Sequence, residues 1–462
     1  MDAQPMSADQ SPHHPPLEQL ALEPLLIDES ADPAQTYERL RSRYGPVVPV
    51  DALGVPAWLV IGYPQVLEVM RDQRGIWSKR IESWRAYAEG RVPEEWPLMS
   101  VSRGGSVVYR DGADLTRLRG AWSAALQPFQ DRTRPQARAL EAAVHRYADD
   151  LITAMTEGGP AAGQTDLVAR YSRPLPLMAL NRLFGFGSDH GEELVLDMWR
   201  MLDAGPEAPA ALARLVGALT ESSAAKRATP GEDLPSYMLA AQPDMTVEEM
   251  ARQMMLLVAL VGDHTATLIA NTVAEVLKGD TGARAGLAGG MIQEAVNRAA
   301  ISSPPMSNTT LRWARADVRL GRYLVAAGDP VILSIAGAHT DPVFTAGHSA
   351  DAVRSSRAHL AWSAGPHGCM GRDLATTITV IAVERLFERF ATLRLAVPPE
   401  HLPWRTSPLM RGLRALPVHY ELSAVPPPVR PGPAAAAAVS PETAAQEASL
   451  ARRVLRALRL VR

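Results

Sequence analysis

A mainly α-helical chain carrying small β-sheets is what three features of this sequence predict. Helical periodicity dominates from about residue 114 to about 300, β-prone runs are short and confined to the flanks, and no internal repeat occurs. The chain has 462 residues, 47% hydrophobic and 21% charged, which suits a large globular core. A net charge of -3 argues against bulk nucleic-acid binding, which favours a basic footprint. Met1-Asp2-Ala3-Gln4-Pro5 lacks the basic-then-apolar pattern of a leader. The longest apolar run, Met254 to Val261, falls well short of the ~20 residues that cross a bilayer. The expected location is the cytoplasm.

The elements follow in order. Residues 1–34 mix Pro, Ser, His and Gln without periodicity and are expected to be a flexible segment. Val47–Asp51 and Ala57–Ile61, separated by Leu53-Gly54-Val55-Pro56, read as a β-hairpin. Pro64 opens a helix at its permitted first turn. Leu140, Val144, Tyr147, Leu151 and Met155 recur at the spacing of one buried helix face. Strand signals return near Val318–Leu320, Val331–Leu333 and Leu393–Leu395, and residues 35–424 read as one domain. Residues 425–440 are a Pro/Ala-rich spacer. Residues 441–462 read as a basic amphipathic helix or tail, with Leu450, Val454, Leu458 and Val461 on one face, suited to a membrane surface or an acidic partner.

Cys369 is the only cysteine, which excludes an internal disulfide and a multi-cysteine metal site. It stands in Trp362-Ser363-Ala364-Gly365-Pro366-His367-Gly368-Cys369-Met370-Gly371, where the glycines let backbone wrap closely around a flat group. The Leu374–Ile378 run opens a helix beside it, and a helix N-terminus favours a thiolate. This loop resembles the haem-ligand loop of the cytochrome P-450 superfamily, in which one cysteine thiolate binds haem iron. The resemblance covers about residues 35–424. It implies the P-450 fold, with haem b (iron protoporphyrin IX) between a long distal helix and the proximal cysteine-loop helix.

The remaining motifs match that family with departures. Cys369 is the implied metal ligand. His367, two residues earlier, takes the place of a propionate partner, with Trp362 and Gly365 shaping the loop. Arg312 in Leu311-Arg312-Trp313 matches a strand arginine for a propionate, and Arg119 matches the arginine ending the helix motif His-x-x-x-Arg. The histidine of that motif is Leu115 here. The distal helix Met254–Thr267 resembles Ala-Gly-x-Asp/Glu-Thr, with Gly262 and Thr265 retained; the resemblance implies room for dioxygen and a threonine that passes protons. The acid position is His264, with Asp263 one residue earlier, so His264 is either a proton relay or a bystander in a hydrogen bond. In the family's Glu-x-x-Arg pair, Glu294 is present but Asn297 stands at the arginine, leaving Arg298 one position on. A group of actinomycete members lacks this arginine too, which implies a bacterial soluble enzyme of secondary metabolism.

The function implied is a monooxygenase that inserts one oxygen atom into a small-molecule or peptide substrate, fed by a ferredoxin and its reductase. Arg372 with Arg132 or Arg134 would offer the ferredoxin a basic face. Trp77, Trp84, Tyr87, Trp96 and Tyr109 would lie in the loop over the pocket, able to stack a substrate or to pack the loop down. Arg80, Arg85 and Arg91 hint at a substrate carboxylate. Two alternatives stand beside this: oxidative coupling of aromatic or peptide groups without oxygen insertion, and a non-catalytic haem-binding regulator.

Overall fold

The computed structural model describes residues 15–25, 33–156, 161–186, 188–279, 291–347, 349–424, 450 and 452–458. Helices dominate, and one of them organises the rest. Val247–Lys278 runs through the core, packing on the Pro174–Leu183, Ile292–Ser302 and Arg372–Arg389 helices. Thr246 caps its start by accepting the Glu249 N–H at 3.1 Å, the Thr-x-x-Glu pattern of a helix N-terminus. The helix is apolar enough to cross a membrane by length and composition, yet 67% of that window is buried inside the protein. From Leu260 to Thr265 it widens into a π turn, a local irregularity that helices often carry at functional sites. Gly262 sits there because a Cβ would come within 2.8 Å of Leu177 and 2.9 Å of Leu202.

The sheets are short and peripheral. Six strands form one sheet in the spatial order Glu23–Pro24, Val47–Asp51, Pro56–Val60, Pro330–Leu333, Arg312–Ala314, Trp77–Ser78. The hairpin pairs antiparallel, Val47 opposite Val60, through a turn in which Leu53 and Gly54 both have positive φ. A three-stranded sheet joins Phe390–Leu395, Pro417–Leu422 and Ala162–Asp166. The last of these falls inside the block expected to be helical. Its register puts Gly163 opposite Tyr420, where a Cβ would meet the tyrosine hydroxyl at 2.8 Å.

Two terminal expectations need correction. Residues 15–25, expected to be flexible, contribute the edge strand, bury Leu17 and Leu25, and anchor Glu23 against Arg39, Arg43 and the Tyr44 hydroxyl. Apolar Leu17, Leu20, Leu22 and Leu25 outweigh a composition that looks disordered. At the other end, Leu450, Val454 and Leu455 are buried in the main core, and Arg453 pairs with Glu192 at 2.6 Å. The apolar residues described in this segment are therefore packed into the chain's own core, and Arg453 ties it to the Ser188–Asp203 helix. The expected spacer 425–440 and Val461 lie outside the described residues.

Candidate functional site

The long helix, the Gly112–Gln130 helix and the cysteine loop enclose one cavity, with about 1460 Å³ of empty space, mouth included. Cys369, from the cysteine loop, and Thr265, from the long helix, both line it.

The loop is held by its own backbone. The Cys369 N–H donates to the Trp362 carbonyl at 2.8 Å, and the Gly368 N–H to Gly365 at 3.0 Å. Gly365 has a φ of +66°, and a Cβ there would sit 2.4 Å from the Met70 carbonyl oxygen, so only glycine lets the loop rest on the Tyr63–Arg71 helix. The Gly112–Gln130 helix clamps the loop from the side. Arg119 donates to the Gly368 carbonyl at 2.9 Å and Gln130 to that of Met370 at 2.9 Å. Cys369 is exposed to the cavity yet deep within the protein. Burial pushes its thiol pKa up, while the Gly371 backbone N–H, Arg372 and Arg119 act the other way. A coordinated metal deprotonates such a thiol outright.

Three cations and one histidine converge on the same space: Lys79, Arg119, Arg312 and His367. Among the described residues none of the three cations forms an ion pair with a carboxylate. Arg312 is 2% exposed, its Nε has no hydrogen-bond partner, and burial pulls its pKa down to about 10. Lys79 is 5% exposed, and its Nζ donates to the Thr310 carbonyl and hydroxyl and to the Leu311 carbonyl at 2.8–3.0 Å. Burial and the Arg312 charge hold its pKa well below the usual value. His367 is driven to about 2 by burial and by Arg312, Lys79 and Arg119. Buried cations without counter-charges are costly, so this arrangement calls for an anionic ligand. Two propionates meet that demand. Among the described residues no group of three or more His, Cys, Asp or Glu side chains could hold a metal ion. The residues present therefore fit haem.

The distal wall departs from the family pattern. Val261, His264 and Thr265 line the cavity; Gly262 and Asp263 do not. Gly262 serves the packing on Leu177 and Leu202, and Val261 stands where the family pattern places its alanine. Asp263 is engaged by Arg405 at 2.9 and 3.0 Å, which turns it from the cavity. Thr265 is 2% exposed. His264 Nδ1 lies 3.3 Å from the Ala259 carbonyl oxygen, and burial lowers its pKa despite the Asp263 carboxylate.

Behind the loop, the missing arginine is covered by two other residues. Glu294 accepts from Arg357 at 2.9 Å, whereas Arg298 reaches it only at 4.0 Å. Asn297 donates to the carbonyls of Arg354 and Ser356 at 3.0 and 3.4 Å. His339 completes the lock: its Nδ1 faces the Ile301 carbonyl at 3.0 Å and its Nε2 accepts the Leu360 N–H at 2.9 Å.

Several other expected contributors go elsewhere. Trp84 and Trp96 pack edge to face at 5.2 Å and Trp84 stacks on Trp313, so these aromatics fasten the loop rather than face a substrate. Val107, Val108 and Lys79 are what that loop gives the cavity. Arg80, Arg85 and Arg91 pair with Glu82, Asp329 and Glu89. Arg372, Arg132 and Arg134 pair with Asp373, Glu141 and Asp131, which balances the expected basic face. Lys79 and His339 went unmarked in the sequence. The one available signal was scarcity, since Lys79 is one of three lysines in the chain.

Comparison with known proteins adds to this geometry. The family profile described as Cytochrome P-450 matches residues 303–412. The chain is 31% identical over 378 residues to cytochrome P-450 107B1 of Saccharopolyspora erythraea, covering 79% of this chain and 89% of that protein. It is 30% identical over 406 residues to the cytochrome P-450 monooxygenase PikC of Streptomyces venezuelae, covering 85% and 92%. Among solved structures, CYP154A1 from Streptomyces coelicolor superposes with a TM-score of 0.72 at 30% identity, over 86% of this chain and 99% of that one.

Proposed function

This chain belongs to the cytochrome P-450 family and is a haem-thiolate monooxygenase of the bacterial soluble class, and from that premise we propose a role for each wall of its cavity. Cys369, whose sulfur borders the cavity, would hold the haem iron as a thiolate. Arg119, Arg312 and His367 would hold its two propionates, with the Lys79 ammonium, its N–H groups already given to Thr310 and Leu311, as a nearby charge. Thr265 guides the proton on the distal side. The observation that carries this reading is the convergence of one thiol and three carboxylate-free cations on a single cavity. When bound, haem supplies an iron centre that activates dioxygen with electrons from a redox partner.

The chain's own atoms do the rest. The Trp362 carbonyl and the Arg119 guanidinium fix the loop so that the Cys369 sulfur points into the cavity. The cations would neutralise both propionates in a buried setting, where each charge-assisted hydrogen bond would contribute about 1.5–3 kcal/mol. Leu256, Leu257, Leu260, Val261 and Leu268 make this wall of the cavity apolar and exclude water from it. The Thr265 hydroxyl, buried in the same wall, holds and passes a proton at Oγ1. The substrate that suits this wall is a largely apolar small molecule of bacterial secondary metabolism, and a cytoplasmic ferredoxin with its reductase is the electron source.

The relatives support oxygen insertion over the two alternatives, because they include a 6-deoxyerythronolide B hydroxylase and a 2-hydroxy-5-methyl-1-naphthoate 7-hydroxylase. The test uses purified protein with ferredoxin, reductase and labelled dioxygen, offered 6-deoxyerythronolide B and 2-hydroxy-5-methyl-1-naphthoate as probes. A product bearing one labelled oxygen is expected. Thr265→Ala should divert electrons to peroxide; tight coupling in that variant would remove Thr265 from the proton path.

A further inference from the structure

One oriented polar group on the distal wall has no part in the chemistry above. His264 lines the cavity, and its Nδ1 lies 3.3 Å from the Ala259 carbonyl oxygen. A carbonyl has no proton to give, so Nδ1 carries the hydrogen. The five-residue offset between the two is that of the π turn over Leu260–Thr265, so the irregularity that widens the helix also fixes the ring. Burial keeps the imidazole neutral at pH 7, and Asp263, the nearest carboxylate, is taken up by Arg405. Nε2 is therefore left with a lone pair, and it has no protein partner among the described residues. Leu256, Leu257, Leu260, Val261 and Leu268 make the surrounding wall apolar.

We propose that His264 Nε2 is the acceptor that orients the substrate, and that this enzyme takes apolar small molecules bearing a hydroxyl or N–H donor. The inference rests on the monooxygenase reading and deepens it. It also separates His264 from proton delivery: the one ring hydrogen is committed to Ala259, on the far side of the imidazole from Nε2. A neutral hydrogen bond of about 1 kcal/mol corresponds to roughly a three- to tenfold preference for a donor over an isomer that cannot donate.

The experiment uses haem-loaded protein and isomeric pairs: 1-undecanol against decyl methyl ether, and cyclododecanol against cycloundecyl methyl ether. Binding is read from the shift of the Soret band. Wild type should bind each alcohol three- to tenfold more tightly than its ether. His264→Gln, which keeps an acceptor, should retain the preference. His264→Phe should lose it, with His264→Leu replacing that variant should it fail to fold. Equal binding within each pair, no binding of either alcohol, or a preference that survives in His264→Phe would overturn the proposal. The reduced, carbon-monoxide-bound spectrum of the same samples separates the two levels. A thiolate-type band with no alcohol preference removes the inference alone, and absence of that band in wild type removes the reading beneath it.

Discussion

Replacing Arg312 with Met should move two properties in opposite directions. The guanidinium is 2% exposed, its Nε is unpartnered, and among the described residues it makes no ion pair. Burial lowers its pKa from 12.5 to about 10, and at about 1.4 kcal/mol per unit this means a cost near 3 kcal/mol for keeping the charge in the haem-free protein. The charge persists at pH 7 in both folded and unfolded chains, so the whole cost applies there. Met is of similar length, apolar and adaptable, so Arg312→Met should stabilise the haem-free protein by up to about 3 kcal/mol in urea. The same change removes a charged contact to a propionate, worth about 1.5–3 kcal/mol, so haem should leave roughly 10- to 150-fold faster. Denaturation of haem-free samples and haem transfer to a scavenging globin measure the two effects. A haem-free variant less stable than wild type, or haem loss at the wild-type rate, would refute the reasoning.

Other outcomes follow from the same geometry. Asn297→Ala should cost about 1–3 kcal/mol, because it strands the Arg354 and Ser356 carbonyls, and urea unfolding reads it directly. Gly365→Ala should cost about 2–4 kcal/mol, since it combines a positive φ with a contact of 2.4 Å to the Met70 oxygen; unchanged stability would mean the loop is not held there. His339 is held neutral by burial, its pKa lowered from 6.5 to about 3, so the folded state resists its protonation. Its contribution is complete above pH 6.5 and is lost as pH falls toward 3, at up to about 1.4 kcal/mol per pH unit. Urea midpoints between pH 6.5 and about 4 should therefore fall less steeply in His339→Phe than in wild type.

What was legible in the sequence was local. The loop around Cys369 announced itself because three glycines, a histidine and a single thiol must lie close in the chain for the backbone to wrap a flat group. The hairpin at Val47–Val60 was legible for the same reason, since a short turn links its strands. Contacts that close over long distances were not. Arg357 meets Glu294 across 63 positions, and Lys79 reaches Thr310 across 231, so neither pairing leaves a spacing to read. The strand Ala162–Asp166 lacks β-branched character except at Thr165 and exists because Pro417–Leu422 offers an edge to pair with. On the long helix the residue types were visible, but the π turn was not, and it is the turn that ties His264 to Ala259 while Asp263 pairs with Arg405. The terminal segments misled because composition describes solubility, whereas burial of Leu17, Leu25, Val454 and Leu455 depends on which surface lies nearby.

The central claim, that Cys369 ligates haem iron in a pocket whose cations await propionates, is tested most directly by one spectrum. Reduced wild-type protein exposed to carbon monoxide should show the strongly red-shifted Soret band of a thiolate ligand, and Cys369→Ala should lose it. A wild-type band without that red shift, or one unchanged by Cys369→Ala, would contradict the account.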